Sequence, residues 1–151
     1  MAVRVQAEDF DTGREIKALT VGNTNIGAIV TFTGTVRGQA KGTPISSMTL
    51  EHYPGMTEAE LERVEKEALV RWPLDASLIV HRFGALAPGD NIVLVITASV
   101  HRVAAFEAAQ FLMDYLKSRA PFWKKETSVD GGGDWVDARE ADGNALDRWK
   151  R

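Results

Sequence analysis

Polar and apolar positions alternate from Ala28 to Val36. Ala28, Val30, Phe32 and Val36 fall on one face, and Ile29, Thr31, Thr33 and Thr35 on the other, so the period and the β-branched content predict a strand. Ile45 to His52 repeats the pattern, which makes Arg37 to Gly42 (RGQAKG) the loop of a hairpin. The turn Tyr53-Pro54-Gly55 precedes Thr57-Glu58-Ala59-Glu60, a capping-box pattern. The helix it opens places Leu61, Val64, Ala68 and Trp72 on one stripe, and Pro73 ends it. Leu78 to Phe83 and Ile92 to Ser99 are predicted strands joined by a loop, Gly84 to Asp90; the second is apolar on both faces and belongs centrally in a sheet.

A helix from about Val103 to Ser118 follows, with Phe106, Ala109, Met113 and Leu116 as its buried stripe. Pro121 stops it and leaves the chain extended. A capping box at Thr12-Gly13-Arg14-Glu15 starts a short helix through about Leu19. Near the other end, Trp135 to Ala138 is a last strand after the Gly131-Gly132-Gly133 turn, and Asn144 to Arg151 is a short helix docking through Leu146 and Trp149. The order is strand-strand-helix-strand-strand-helix-strand. It predicts an α+β fold with a mostly antiparallel sheet and helices packed on one face.

Composition narrows the class. The 151 residues suit one domain spanning 1–151, and 44% hydrophobic with 26% charged residues is a globular balance. A net charge of -3 argues against a general polyanion binder, so no nucleic-acid partner is expected. There is no cysteine, which excludes disulfides, thiolate metal sites and a cysteine nucleophile and fits a reducing compartment. The first ten residues lack a signal-peptide core, and the longest aliphatic run, Ile92 to Ile96, is too short to span a bilayer. A soluble, cytoplasmic location with no membrane partner is the expectation.

The chemistry gathers between His101 and Glu126, HRVAAFEAAQFLMDYLKSRAPFWKKE. Lys117 lies near the end of the predicted helix and Lys124 just past the chain reversal. Two nearby ammonium groups, with Met113, Phe122 and Trp123 around them, would disfavour each other's charge and make an amine available as base or nucleophile. A cation at a helix C-terminus and a solvated strand face account for the same residues, and both readings stay open here. Arg37, His101, Arg102 and Arg139 are candidate anion ligands, with surface ion pairs as the alternative for each arginine. Ser99, His101 and Asp114 hint at a hydrolase set, but no G-x-S-x-G elbow accompanies them. His52, His81 and His101 lack metal-ligand spacing, so no metal is expected. Phe122 to Lys125 could stack single-stranded RNA, although core packing explains the aromatics more simply.

Taken together the segments TFTGTVRG (31–38), LEHYPGMTE (50–58), RWPL (71–74), HRFGALAPGD (81–90), the 101–126 stretch and WVDARE (135–140) resemble the large, catalytic subunit of molybdopterin synthase, in order from about residue 26 to 149. The resemblance implies an α/β hammerhead fold and a homodimer that binds a ubiquitin-like small subunit at each end, a heterotetramer. It implies transfer of two sulfurs from the thiocarboxylated Gly-Gly tail of that subunit to cyclic pyranopterin monophosphate, forming the dithiolene of molybdopterin with no resident cofactor. Lys117 and Lys124 become the catalytic residues by the same resemblance. Arg37, His101, Arg102 and Arg139 become ligands of the phosphate and pterin, some reaching across the dimer interface, with Met113 and Phe32 lining the pocket. The missing cysteines fit, because the sulfur arrives on the partner. The loop after Arg37, GQAKGTP, and the segment 4–25 carry no matching motif.

Overall fold

A computed structural model describes residues 2–136 and 140–150, without the side chains of 134 and 140–143. The chain runs β1 (Ala2–Gln6), α1 (Thr12–Thr20), β2 (Ala28–Thr35), β3 (Gln39–Ala40), β4 (Thr43–His52), α2 (Met56–Arg71), β5 (Leu74–Arg82), β6 (Gly84–Leu86), β7 (Asn91–Ser99), α3 (Arg102–Ser118), β8 (Phe122–Ser128), β9 (Gly133–Val136) and α4 (Glu140–Asp147). The strands form two sheets. One has the order β1-β5-β7-β2; the other is β3-β4-β8-β9, with β6 also paired to β4. All pairings are antiparallel except β1 with β5. The α+β class and the central place of the 92–99 strand are as the pattern predicts.

Alternation divides the first sheet into two apolar faces. Ile79, Val93 and Val95 point to α2 and α3 and join Leu61, Val64, Ala68, Phe111 and Leu112 in the main core. Leu78, Val80, Leu94 and Ile96 point the other way, where Phe10, Ile16 and Leu19 of the α1 region cover them. The two long helices therefore share one face, and short α1 closes the opposite one. β1 escapes the sequence reading because five residues with only Val3 and Val5 alternating give little period to detect; its place comes from pairing alongside β5.

Four local expectations change. The cap of α1 is Asp11, not Thr12; its carboxylate accepts from the Arg14 N–H at 3.0 Å. In α2 the first helical residue is Met56, the Glu58 carboxylate accepts from the Gly55 N–H at 3.3 Å, and Thr57 lies inside the first turn, fully buried. Gly55 takes φ 85°, a conformation costly for any residue with a Cβ. Part of the expected 84–90 loop is a strand: Gly84 to Leu86 pair with Leu50 to Met48, and Leu86 is buried. Phe106, expected in the buried stripe of α3, is 60% exposed. The buried row is Ala105, Ala108, Ala109 and Leu112, because alanines let the helix approach β7 closely enough for the Thr97 hydroxyl to donate to the Ala105 carbonyl at 2.7 Å. Phe111, one turn further on, fills the core instead.

The tail docks as expected, through Leu146 and Trp149, though the helix itself is earlier, at Glu140–Asp147. The Trp149 ring meets Trp72 and Phe111 edge-on, each at 5.5 Å, and its indole N–H donates to buried Asp114 at 2.6 Å. Gln110 donates to the other carboxylate oxygen at 3.2 Å.

Beneath β1, the buried Glu65 carboxyl receives the Ser77 hydroxyl at 2.6 Å. Burial raises its pKa above the ordinary carboxylate value against the hydrogen bond from Ser77. A folded value above the unfolded one means that this group's contribution is fully present below the unfolded pKa and is lost as pH rises through the folded value. Glu65→Gln is expected to raise Tm at pH 8 and to leave it close to wild type at pH 4, measured by thermal melts across that range.

Candidate active site

α3 runs back along β7, so its last turn lies over the end of the sheet where β5 finishes and β7 begins. There Lys117 projects one helical turn beyond Met113. The helix closes at Arg119, whose N–H bonds to the Tyr115 carbonyl at 2.7 Å, and Pro121 turns the chain into β8. β8 lies antiparallel to β4, pairing Phe122 with His52 and Lys124 with Leu50. Phe122, Lys124 and Glu126 share one face of the strand by alternation. Lys124 Nζ is 3.5 Å from the Glu126 carboxylate.

His81 joins these elements. It shares the α3-facing side of β5 with Ile79, is 7% exposed, and stacks on Phe122 with centroids 3.7 Å apart and planes 17° from parallel. Its Nδ1 lies 2.8 Å from the Arg82 carbonyl, a contact in which the imidazole N–H donates. Burial lowers its pKa to about 4, and electrostatic interaction with Lys117 and His52 presses the same way. Lys117 is thus close enough to act on a neutral imidazole, and that imidazole touches the residue two positions before Lys124. His52 packs on Phe83 at 4.5 Å, with its Nδ1 3.8 Å from Glu58 Oε1; both of these buried atoms lack a hydrogen-bond partner.

A groove of about 230 Å³ runs between β2 and α3, lined by Val30, Thr31, Phe32, Phe106, Ala109, Gln110 and Met113. Phe32 and Met113, expected to line a pocket, do share this one. Phe32 is 39% exposed and Met113 is buried. Exposed Arg37 follows β2 at the sheet end that also holds His81: Gly34 pairs with Val93, and Val93 with His81.

Other candidates stand apart. His101 and Arg102 open α3, and both are exposed. Fifteen residues of helix separate Arg102 from Lys117, about 22 Å along the axis at ~1.5 Å per residue. Within one chain they stand at opposite ends of α3. Arg139 lies outside the described residues. The hydrolase set is not assembled: the Ser99 hydroxyl donates to the Pro73 carbonyl at 2.7 Å, and Asp114 is engaged by Trp149. Among the described residues no three His, Asp or Glu side chains are grouped to hold a metal ion. The sequence reading did not single out His81, Thr57 or Glu126 for the site. Strand alternation with Ile79 was a signal for the first, and an i, i+2 relation to Lys124 for the last.

His81 has a pH signature. Its folded pKa is below the ordinary 6.5, so the charged form is disfavoured in the fold. The stability it contributes is present above pH 6.5 and lost as pH falls towards 4, on the order of 3 kcal/mol in total. Denaturant unfolding at stepped pH is expected to show this decline in wild type and a shallower one in His81→Phe over the same window.

Residues 5–119 match the family model described as MoaE protein. A molybdopterin synthase catalytic subunit from Mesorhizobium japonicum is 56% identical over 149 residues, covering 98% of this chain and 92% of that one. Among solved structures, a molybdopterin biosynthesis MoaE protein from Burkholderia ambifaria superposes with a TM-score of 0.85 at 51% identity, covering 100% of this chain and 99% of that one. A Helicobacter pylori chain, solved in a complex of subunits 1 and 2 of molybdopterin-converting factor, shares the fold with a TM-score of 0.72 at 21% identity, covering 91% and 90%. The family model spans most of the sequence, and identity above one half extends over nearly all of it: the chain belongs to the MoaE protein family.

Proposed function

We propose that this chain is the catalytic subunit of a molybdopterin synthase, and that Lys117 and Lys124 are its catalytic residues. The observation that carries the residue assignment is the turn at Pro121. It turns the chain from a groove-lining helix, whose exposed Lys117 lies near His81, into the strand that carries Lys124 two residues past Phe122, the ring stacked on His81. The substrates are a thiocarboxylate, on the Gly-Gly tail of a ubiquitin-like small subunit, and cyclic pyranopterin monophosphate. In each transfer the thiocarboxylate sulfur bonds to a side-chain carbon of the pterin as a C–O bond at that carbon breaks. Water then attacks the thioester carbonyl, the tail's C–S bond breaks, and the tail leaves as a carboxylate with the sulfur kept on the pterin. A fixed ammonium at the reacting centre stabilises the oxyanion that develops and can supply a proton, which the resulting amine can take back. Glu126 beside Lys124 holds that amine in place.

Arg37 suits the phosphate from the same end of the sheet. His101 and Arg102 suit it only from a second protomer, because about 22 Å of helix separates them from Lys117 in their own chain. That distance supports a homodimer with composite sites inside a heterotetramer. Phe32 and Met113 line the approach, and Arg139 is assigned to the pterin or phosphate by resemblance. No helix among the described residues is long and apolar enough to cross a membrane, and we assign the reaction to the cytoplasm.

Dithiolene formation from cyclic pyranopterin monophosphate and a thiocarboxylated small subunit tests the reading. Wild type is expected to form product, and Lys117→Ala to lose at least about 100-fold in rate while still binding the small subunit. Full activity in the variant would remove Lys117 from the mechanism, and no product from wild type with a competent, bound partner would leave only a binding protein. Composite sites predict that mixing Lys117→Ala with Arg102→Ala, each inactive alone, restores activity to about a quarter of wild type after subunit exchange, since half of the dimers then carry one intact site. Absence of any recovery on mixing would overturn the composite site, and full activity of Arg102→Ala alone would place Arg102 outside it.

A further inference from the structure

The turn between the two lysines is held from outside both of the elements it joins. From α2, the Thr57 hydroxyl donates to the Pro121 carbonyl at 3.2 Å and accepts from the Tyr53 N–H at 3.0 Å, with no part of the residue exposed. From β5, the His81 ring lies flat against Phe122. Inside the turn, the Ala120 N–H bonds back to Tyr115 at 3.2 Å, and the Phe122 N–H to Ala120 at 2.8 Å. Pro121 offers no N–H, so its carbonyl is its one backbone handle.

The Thr57 hydroxyl has no capping duty to explain it. Gly55 and Glu58 serve the start of α2, and an apolar side chain of the same shape would fill the buried site equally well. What the hydroxyl adds is a link across 64 residues to the joint between α3 and β8. Without it, the Tyr53 N–H and the Pro121 carbonyl lose a buried partner, and the turn can relax toward water. Displacements near 1 Å at a reacting group are enough to slow chemistry severely.

We propose that Thr57 is a positioning residue: by tying the Pro121 carbonyl to α2 it presses the turn against His81 and sets how the Lys117 and Lys124 amines face each other. The inference rests on the reading that both lysines act at one centre, and its test separates the two. Thr57→Val deletes the hydroxyl at nearly constant volume, Thr57→Ser retains it, and Thr57→Ala replaces the valine variant if that one does not fold by circular dichroism. Two readouts are taken on the full chain: steady-state dithiolene formation with the thiocarboxylated small subunit, and the yield of a Lys117–Lys124 cross-link with a short amine-reactive bis-electrophile, mapped by mass spectrometry without substrate.

The valine variant is expected to lose about tenfold or more in kcat, with KM for the pterin within about twofold of wild type, while serine stays within about twofold in both. Cross-link yield falls with valine and not with serine. Wild-type kcat in the valine variant overturns the proposal, as does a loss of kcat with unchanged cross-linking, or a serine variant as impaired as valine. A cross-link that depends on the hydroxyl in a chain that makes no dithiolene would sustain the positioning role and defeat the assigned reaction.

Discussion

The pairing of β5 with β7 is the constraint from which the rest of the molecule follows. Both strands are buried along most of their length, so each of their two faces needs an apolar cover. α2 and α3 supply one and α1 the other, and neither face can be exposed without stranding Leu94, Val95 or Ile96 in water. The connection between the two strands cannot be an idle loop either. Its Gly84 to Leu86 segment pairs with β4 and joins the two sheets. Arrangement of the candidate site is a consequence: α3 must lie along β7 to cover it, and its last turn therefore reaches the sheet end where His81 and β8 meet.

The chemistry is assembled from pieces that fold for other reasons. Phe122 belongs to the main core, yet its stacking partner is the one strongly perturbed histidine, and its neighbour by two positions is Lys124. Neutral His81 lets a buried ring sit near exposed Lys117 without placing a cation in the core. The groove between β2 and α3 exists because alanines draw the helix toward β7, leaving Phe106 and Phe32 as walls rather than core.

Periodicity revealed the strands and the long helices because burial on one or both faces leaves a regular trace in residue type. It failed where that trace is short or indirect. Val3 and Val5 are too few to announce β1, and Thr57 looks like a helix cap until its hydroxyl is seen bonded to Pro121. Helical spacing puts Phe106 in a buried stripe with Ala109 and Met113, whereas the helix is seated by its small residues and Phe111 takes the interior place. The pair Lys117 and Lys124 was legible because Pro121 marks a reversal between them. His101 and Arg102 lie at the far end of α3 from Lys117, about 22 Å along the axis, a separation that sequence order conceals until the helix is built. His81 enters the sequence only as a histidine without metal-ligand spacing; its contact with Phe122 and its nearness to Lys117 set it apart.

The anchoring of α4 bears on how the chain acquires its structure during synthesis. Trp149 completes a cluster with Trp72 and Phe111, and its indole satisfies Asp114 on α3, yet it leaves the ribosome after every other element. Until then the back of α3 presents two large aromatic surfaces and an under-satisfied carboxylate. A nascent chain stalled just short of α4 would carry all its strands and still expose a sticky seam of the kind that chaperones bind and aggregates exploit.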